Sequence, residues 1–160
     1  MSIWPIRSML FIPGHKLEWV RTVKRFAPDA VVLDLEDAVP LGLKTAARAT
    51  IREAIPLLVE HRIAAFVRIN DFECGGEDDV AAICMPGLAG IMLPKADSAK
   101  QVQHLDRLIA HAEGRAGLPL GAVGIIPLPE TARGLADARL LAEASNRVTG
   151  LVTVVGGPVA

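Results

Sequence analysis

Short apolar runs rich in Val and Ile alternate along this chain with longer amphipathic stretches, and that alternation constrains the fold more than any other feature. Each run is too short for a typical helix and reads as a buried parallel strand, with the stretches between as crossover helices. Strands are predicted over residues 8–12, 30–35, 64–69, 90–93, 122–126 and 150–155. A short helix is expected over 17–26 and a longer one over 43–58, disturbed late by Pro56. The Gly75-Gly76 loop precedes another short helix through Ala82. Asp97 or Ser98 caps a helix with the apolar stripe Val102, Leu105, Leu108, Ile109 and Ala112, broken at Gly114 and Gly117. Ala136, Leu140, Leu141 and Ala144 mark the last helix.

About six parallel strands with five intervening helices place the chain in the α/β class. Two architectures satisfy that pattern: a doubly wound open sheet and a βα barrel. A complete barrel needs eight units and typically about 250 residues. As a barrel, this chain of 160 residues is expected to be incomplete, an open-edged partial (β/α)8 TIM barrel forming a single domain.

Composition narrows the function classes. Although 51% of residues are hydrophobic, no apolar run approaches the ~20 residues of a membrane span. Residues 1–7 lack a signal-peptide pattern, since the positive charge follows a short segment broken by Pro5. A net charge of −1 offers no footprint for nucleic acid or an anionic membrane. Cys74 and Cys84 have neither metal-ligand spacing nor a disulfide framework. They read as reduced thiols of a cytoplasmic protein.

Chemistry is concentrated at the predicted strand exits. The second strand runs from Val31 through Asp34 into Glu36 and Asp37, three acids within four residues. Such a cluster does not ionise cheaply unless cations or donors meet it. A helix N-terminus would account for Glu36 and Asp37 about as well, and less well for Asp34, which lies inside the apolar run. His15 and Lys16 follow the first strand, Arg68 and Asn70 close the third, Lys95 the fourth and Glu130 the fifth. In parallel α/β folds ligands bind at the carboxyl ends of strands. Glu130 suits Mg²⁺ shared with a second carboxylate and substrate oxygens. Arg68 suits bidentate recognition of a substrate carboxylate, and a structural ion pair is the competing reading of it. Together these residues suggest a metal-bound keto or hydroxy acid polarised for carbon–carbon cleavage. His104 and His111 read as solvated surface.

Five of these segments resemble the citrate lyase beta-subunit-like family, which includes citryl-CoA and malyl-CoA lyases. They are Arg7-Ser8-Met9-Leu10-Phe11-Ile12-Pro13-Gly14, Val32-Leu33-Asp34-Leu35-Glu36-Asp37-Ala38-Val39, Val67-Arg68-Ile69-Asn70, Leu93-Pro94-Lys95-Ala96-Asp97-Ser98 and Pro129-Glu130-Thr131-Ala132-Arg133-Gly134. They stand in the family's order and cover nearly the whole chain, to about Val152. The resemblance implies a TIM barrel of the phosphoenolpyruvate/pyruvate type, Mg²⁺, and a hydroxyacyl substrate linked to CoA or a carrier. The implied reaction is retro-Claisen or aldol cleavage to a keto or aldehyde acid and acetyl-CoA. By the same resemblance Arg68 binds the substrate carboxylate, and Glu130 ligates Mg²⁺ and lines the substrate pocket. Glu36 and Asp37 act at the catalytic centre through the metal-water shell, and Arg7 and Lys16 lie toward the site or the CoA.

Two departures modify that expectation. The family's sixth strand ends in a Gly-x-Glu-Asp-Leu type motif, and Gly157 occupies the position of its metal-binding Asp. The family also continues beyond the last residue of this chain. An ending in apolar and glycine-rich residues reads as a frameshift or premature stop, and the alternative function is a catalytically impaired partial barrel or partner-binding subunit. Open strand edges lead to the expectation of a homo-oligomer. Two substitution effects are expected: Glu130→Gln abolishes Mg²⁺ dependence, and Arg68→Ala weakens acid binding with the fold intact.

Overall fold

The β-branched run after Pro28 forms a strand buried along its whole length, as a run with no polar alternation requires. A computed structural model describes residues 5–153. Five strands form one parallel sheet: β1 (Met9–Pro13), β2 (Ala30–Asp34), β3 (Ala64–Arg68), β4 (Leu88–Leu93) and β5 (Gly124–Pro127). Their spatial order is their chain order, β1-β2-β3-β4-β5. A doubly wound sheet reverses its order at a switch point; no reversal occurs among the described strands. With right-handed crossovers, unreversed order keeps every helix on one face and curls the other face inward. Of the two architectures, the barrel type is the one present.

The connecting helices are α1 (Leu17–Thr22), α2 (Lys44–Glu60), α3 (Gly76–Ile83), α4 (Ala99–Ala116), α5 (Ala132–Ala136) and α6 (Ala138–Glu143). Pro56 does not disturb α2: the helix runs through it with the ring exposed to solvent. Ser98, with Gln101, closes a capping box at the start of α4. That helix continues through Gly114 and ends at Gly117, which takes the left-handed conformation, φ +67°. The last expected helix is two short ones meeting at Asp137.

The expected sixth strand falls partly outside the described residues. Its approach is visible: Val148 bridges Ile125 in parallel, and the Thr149 and Val152 N–H groups donate to the carbonyls of Ile125 and Pro127 at 3.1 and 3.2 Å. The segment before the chain's end therefore lies beside β5, next in the same order.

Successive strand residues face opposite ways. Val31, Leu33, Val67, Ile91 and Ile125 meet the helices, packing with Ile51, Ile55 and Leu58 of α2 and Leu105 and Ile109 of α4. Ala30, Val32, Phe66, Met92 and Ile126 fill the inner face. Asp34 and Arg68 keep the parity of Val32 and Phe66 and are register partners, so both stand on the inner face at the carboxyl ends. Gly14 lies so close over the end of β2 that a Cβ would sit 2.7 Å from the Asp34 carbonyl. Its N–H donates to that same oxygen, so no larger residue fits there.

Candidate active site at the carboxyl ends of the strands

Asp34 organises the mouth of the sheet. Its carboxylate accepts from the backbone N–H groups of Glu36 and Ala38, both at 3.0 Å. A carboxylate bonded two and four residues ahead closes the chain into a tight turn after β2. That turn buries Glu36 and leaves Asp37 exposed. The same carboxylate receives a two-pronged contact from Arg68, Nε and Nη2 each at 2.7 Å. Arg68 Nη1 then stands 3.1 Å from Glu36 Oε2, and Lys95 Nζ stands 3.1 Å from Glu36 Oε1. The Phe11 ring lies 5.5 Å from the Arg68 guanidinium carbon, within cation–π range.

Burial opposes ionisation of Asp34. The hydrogen bonds and charge of Arg68, with the two backbone donors, outweigh it and hold the carboxyl below the usual carboxylate range. Glu130 goes the other way. Burial raises it above the ordinary value, the negative charges of Glu36 and Asp37 raise it further, and Arg68 and Lys95 offset part of the rise. Lys95 is held charged, its value raised foremost by the contact with Glu36. These couplings show that Glu36, Asp37, Arg68, Lys95 and Glu130 share one electrostatic neighbourhood.

A second network fixes the loops beneath. Lys44 Nζ donates to the Glu36 carbonyl at 3.3 Å and to the Asn70 side-chain oxygen. Asp79, wholly buried, accepts from Asn70 N and Nδ2 at 2.8 and 2.7 Å and from Arg48 Nε at 2.7 Å. The loops after β2 and β3 are thereby tied to α2 and α3.

Of the residues singled out in the sequence, Glu36, Asp37, Arg68 and Glu130 are brought together. Lys16 lies on the same side of the sheet, after β1, with Nζ 3.9 Å from Glu18. Arg7 is not brought there. It precedes β1, at the amino ends of the strands, where its guanidinium and backbone N–H bind Asp29 at 2.8 Å each. Gly157 lies outside the described residues. Arg68 carries the ion pair that was its competing reading: two of its five N–H donors are hydrogen-bonded to Asp34, and its Nη1 faces Glu36 at 3.1 Å. Truncating it would strand Asp34 as a buried unpaired charge, so the expectation that Arg68→Ala leaves the fold intact does not fit this geometry.

Among the described residues no group of three or more His, Cys, Asp or Glu side chains is arranged to hold a metal. Mg²⁺ does not require one, because it binds through one or two carboxylates and completes its shell with water and substrate oxygens. The donor set is suited to it. The buried Glu36 carboxylate is met by the charges of Arg68 and Lys95, and Glu130 is raised by burial and by the charge of Glu36. The part played by Asp34 as clamp for Arg68 escaped sequence reasoning. Its one signal was a charge set inside an apolar run.

The match to known proteins runs along the same residues. Residues 7–156 match the family described as HpcH/HpaI aldolase/citrate lyase. The citrate lyase subunit beta of Leuconostoc mesenteroides subsp. cremoris is 34% identical over 91% of this chain and 48% of its own length. A (3S)-malyl-CoA thioesterase of Cereibacter sphaeroides is 36% identical over 92% of this chain and 48% of its own. The solved citrate lyase beta subunit of Mycobacterium tuberculosis, complexed with oxaloacetate and magnesium, superposes with a TM-score of 0.71 at 32% identity, covering 96% of this chain and 60% of that one. The chain thus spans about half the length of the curated relatives it matches. Strand order, the charged residues at the strand exits, and the match over residues 7–156 agree: this chain belongs to the HpcH/HpaI aldolase/citrate lyase family.

Proposed function

We propose that the mouth of this sheet is the substrate half-site of a Mg²⁺-dependent carbon–carbon lyase acting on a hydroxyacyl thioester of the citryl-CoA or malyl-CoA type. The observation that carries the proposal is the buried Glu36 carboxylate, set between Arg68 and Lys95 and beside Glu130. A buried carboxylate met by two cations at 3.1 Å, at the mouth where a second acid is also drawn in, supports a site that takes a ligand. The names of the relatives support the substrate class: one acts on a malyl thioester and another was solved with a keto acid and magnesium.

In this reading Glu130 ligates the ion, with Glu36 and Asp37 holding its water shell. When bound, the metal would supply Lewis-acid polarisation of the hydroxyl oxygen that becomes the keto group on cleavage. Arg68, fixed by Asp34, presents its free N–H groups to the substrate carboxylate, and because its plane is already set little ordering is lost on binding. The inner-face side chains Phe66 and Met92 floor the mouth and keep water from beneath the reacting carbons. Self-association of the chain is part of the same proposal. Calorimetric titration of a keto acid with and without Mg²⁺ tests it. The reading predicts keto-acid binding that appears only with the metal; binding that ignores Mg²⁺ contradicts it.

A further inference from the structure

Lys95 has a backbone that lysine seldom adopts. Its φ is +48°, in the left-handed region favoured by glycine and asparagine. Strain of this kind persists only where the surroundings enforce it, and it gathers at ligand sites. Here both sides enforce it. The Ala96 N–H donates to the Leu128 carbonyl and the Leu128 N–H to that of Leu93, at 3.2 and 2.9 Å, lacing the β4 exit to β5. The Asp97 and Ser98 N–H groups both donate to Gln101 Oε1 at 3.0 Å, locking the other side to the start of α4. The turn thus held carries Lys95 back over the mouth to Glu36, while its side chain stays 52% exposed.

The two cations of the mouth are not equivalent. Arg68 is pinned to Asp34 by two directed hydrogen bonds. Lys95 makes one contact, 3.1 Å to Glu36, on a side chain that is half exposed. A flexible, half-exposed ammonium can therefore turn to an incoming anion. Arg68 and Lys95 also occupy the two oxygens of a single carboxylate. Each stands 3.1 Å from one oxygen of that carboxylate, so an anion with two acid groups can meet both cations.

Building on the function proposed above, we infer that Lys95 sets substrate specificity by binding the distal carboxylate of a four-carbon keto diacid. Arg68 takes the carboxylate next to the keto group, where a planar fork fits a fixed acid. Lys95 takes the far one, where a flexible point charge tolerates rotation. A keto monoacid leaves Lys95 on Glu36.

The test is calorimetric titration of oxaloacetate and of pyruvate into the chain in the presence of Mg²⁺, for the parent, Lys95→Met and Lys95→Asn. Asparagine removes the charge while accepting the left-handed backbone, so it guards against a misfolded Met variant. Loss of a charge-assisted contact weakens oxaloacetate by about tenfold or more, and pyruvate by less than about twofold. Lys95→Arg restores the preference. Equal loss for both acids, or loss for neither, overturns the assignment. If the parent binds neither acid, the function reading itself fails and this inference falls with it.

Discussion

Asp34 and Arg68 show what a single pair does at the mouth of the sheet. Asp34 is 1% exposed and is met by Arg68 and two backbone donors. Removing its charge with Asp34→Asn leaves Arg68 facing the buried Glu36 alone, and breaking a buried pair of this kind costs about 3 kcal/mol. The folded carboxyl lies below its ordinary value, so its contribution is complete above the unfolded aspartate range, near pH 4, and is lost as pH falls through the folded value. Urea unfolding of parent and variant is therefore expected to show a constant gap at neutral pH and a shrinking gap in acid. Arg68→Ala, read the same way, is expected to lose about 3–5 kcal/mol. Sequence reasoning saw Arg68 as a charge at a strand end but could not see its partner, because Asp34 lies 34 residues earlier and meets it only through strand register.

Elements were the most legible level, since strand and helix periods are local properties of the chain. β2, β3 and α2 lie within two residues of their expected bounds because their apolar spacing is uninterrupted. Pro56 misled for a physical reason: it sits on the solvent face of α2, where tertiary packing by Ile51, Ile55 and Leu58 holds the helix past the missing N–H. The helix still bears the cost, so Pro56→Ala is expected to raise stability by about 1–3 kcal/mol in denaturant unfolding. Ser98→Ala, which opens the capping box of α4, is expected to lower it by about 1 kcal/mol. Less legible was the tie between α4 and the end of the chain. Arg147 binds Glu113 at 2.7 Å and Asp106 at 2.6 Å across 34 and 41 residues. Glu113, wholly buried, also accepts from the Gly121 and Val123 N–H groups at 3.0 and 2.9 Å. In the sequence these were scattered charges on a helix and a loop.

At the scale of the molecule, strand order separated two architectures that periodicity could not, because both contain the same elements. That order leaves β1 at one edge of the described sheet, with Leu10, Phe11, Trp19 and Phe26 exposed beside it. Apolar surface along an unpaired edge favours association. Self-association in sedimentation velocity is expected, relieved by Trp19→Glu combined with Phe26→Glu. Among the described residues no helix is long and apolar enough to cross a membrane. The acids that would serve Mg²⁺ come from the β2 and β5 exits, and Mg²⁺ binding by the parent and by Glu130→Gln, titrated with oxaloacetate present, tests them most directly. The account predicts binding by the parent and its loss in the isosteric variant, with both chains folded by circular dichroism. A variant that binds Mg²⁺ as well as the parent contradicts the assignment of Glu130, and with it the site.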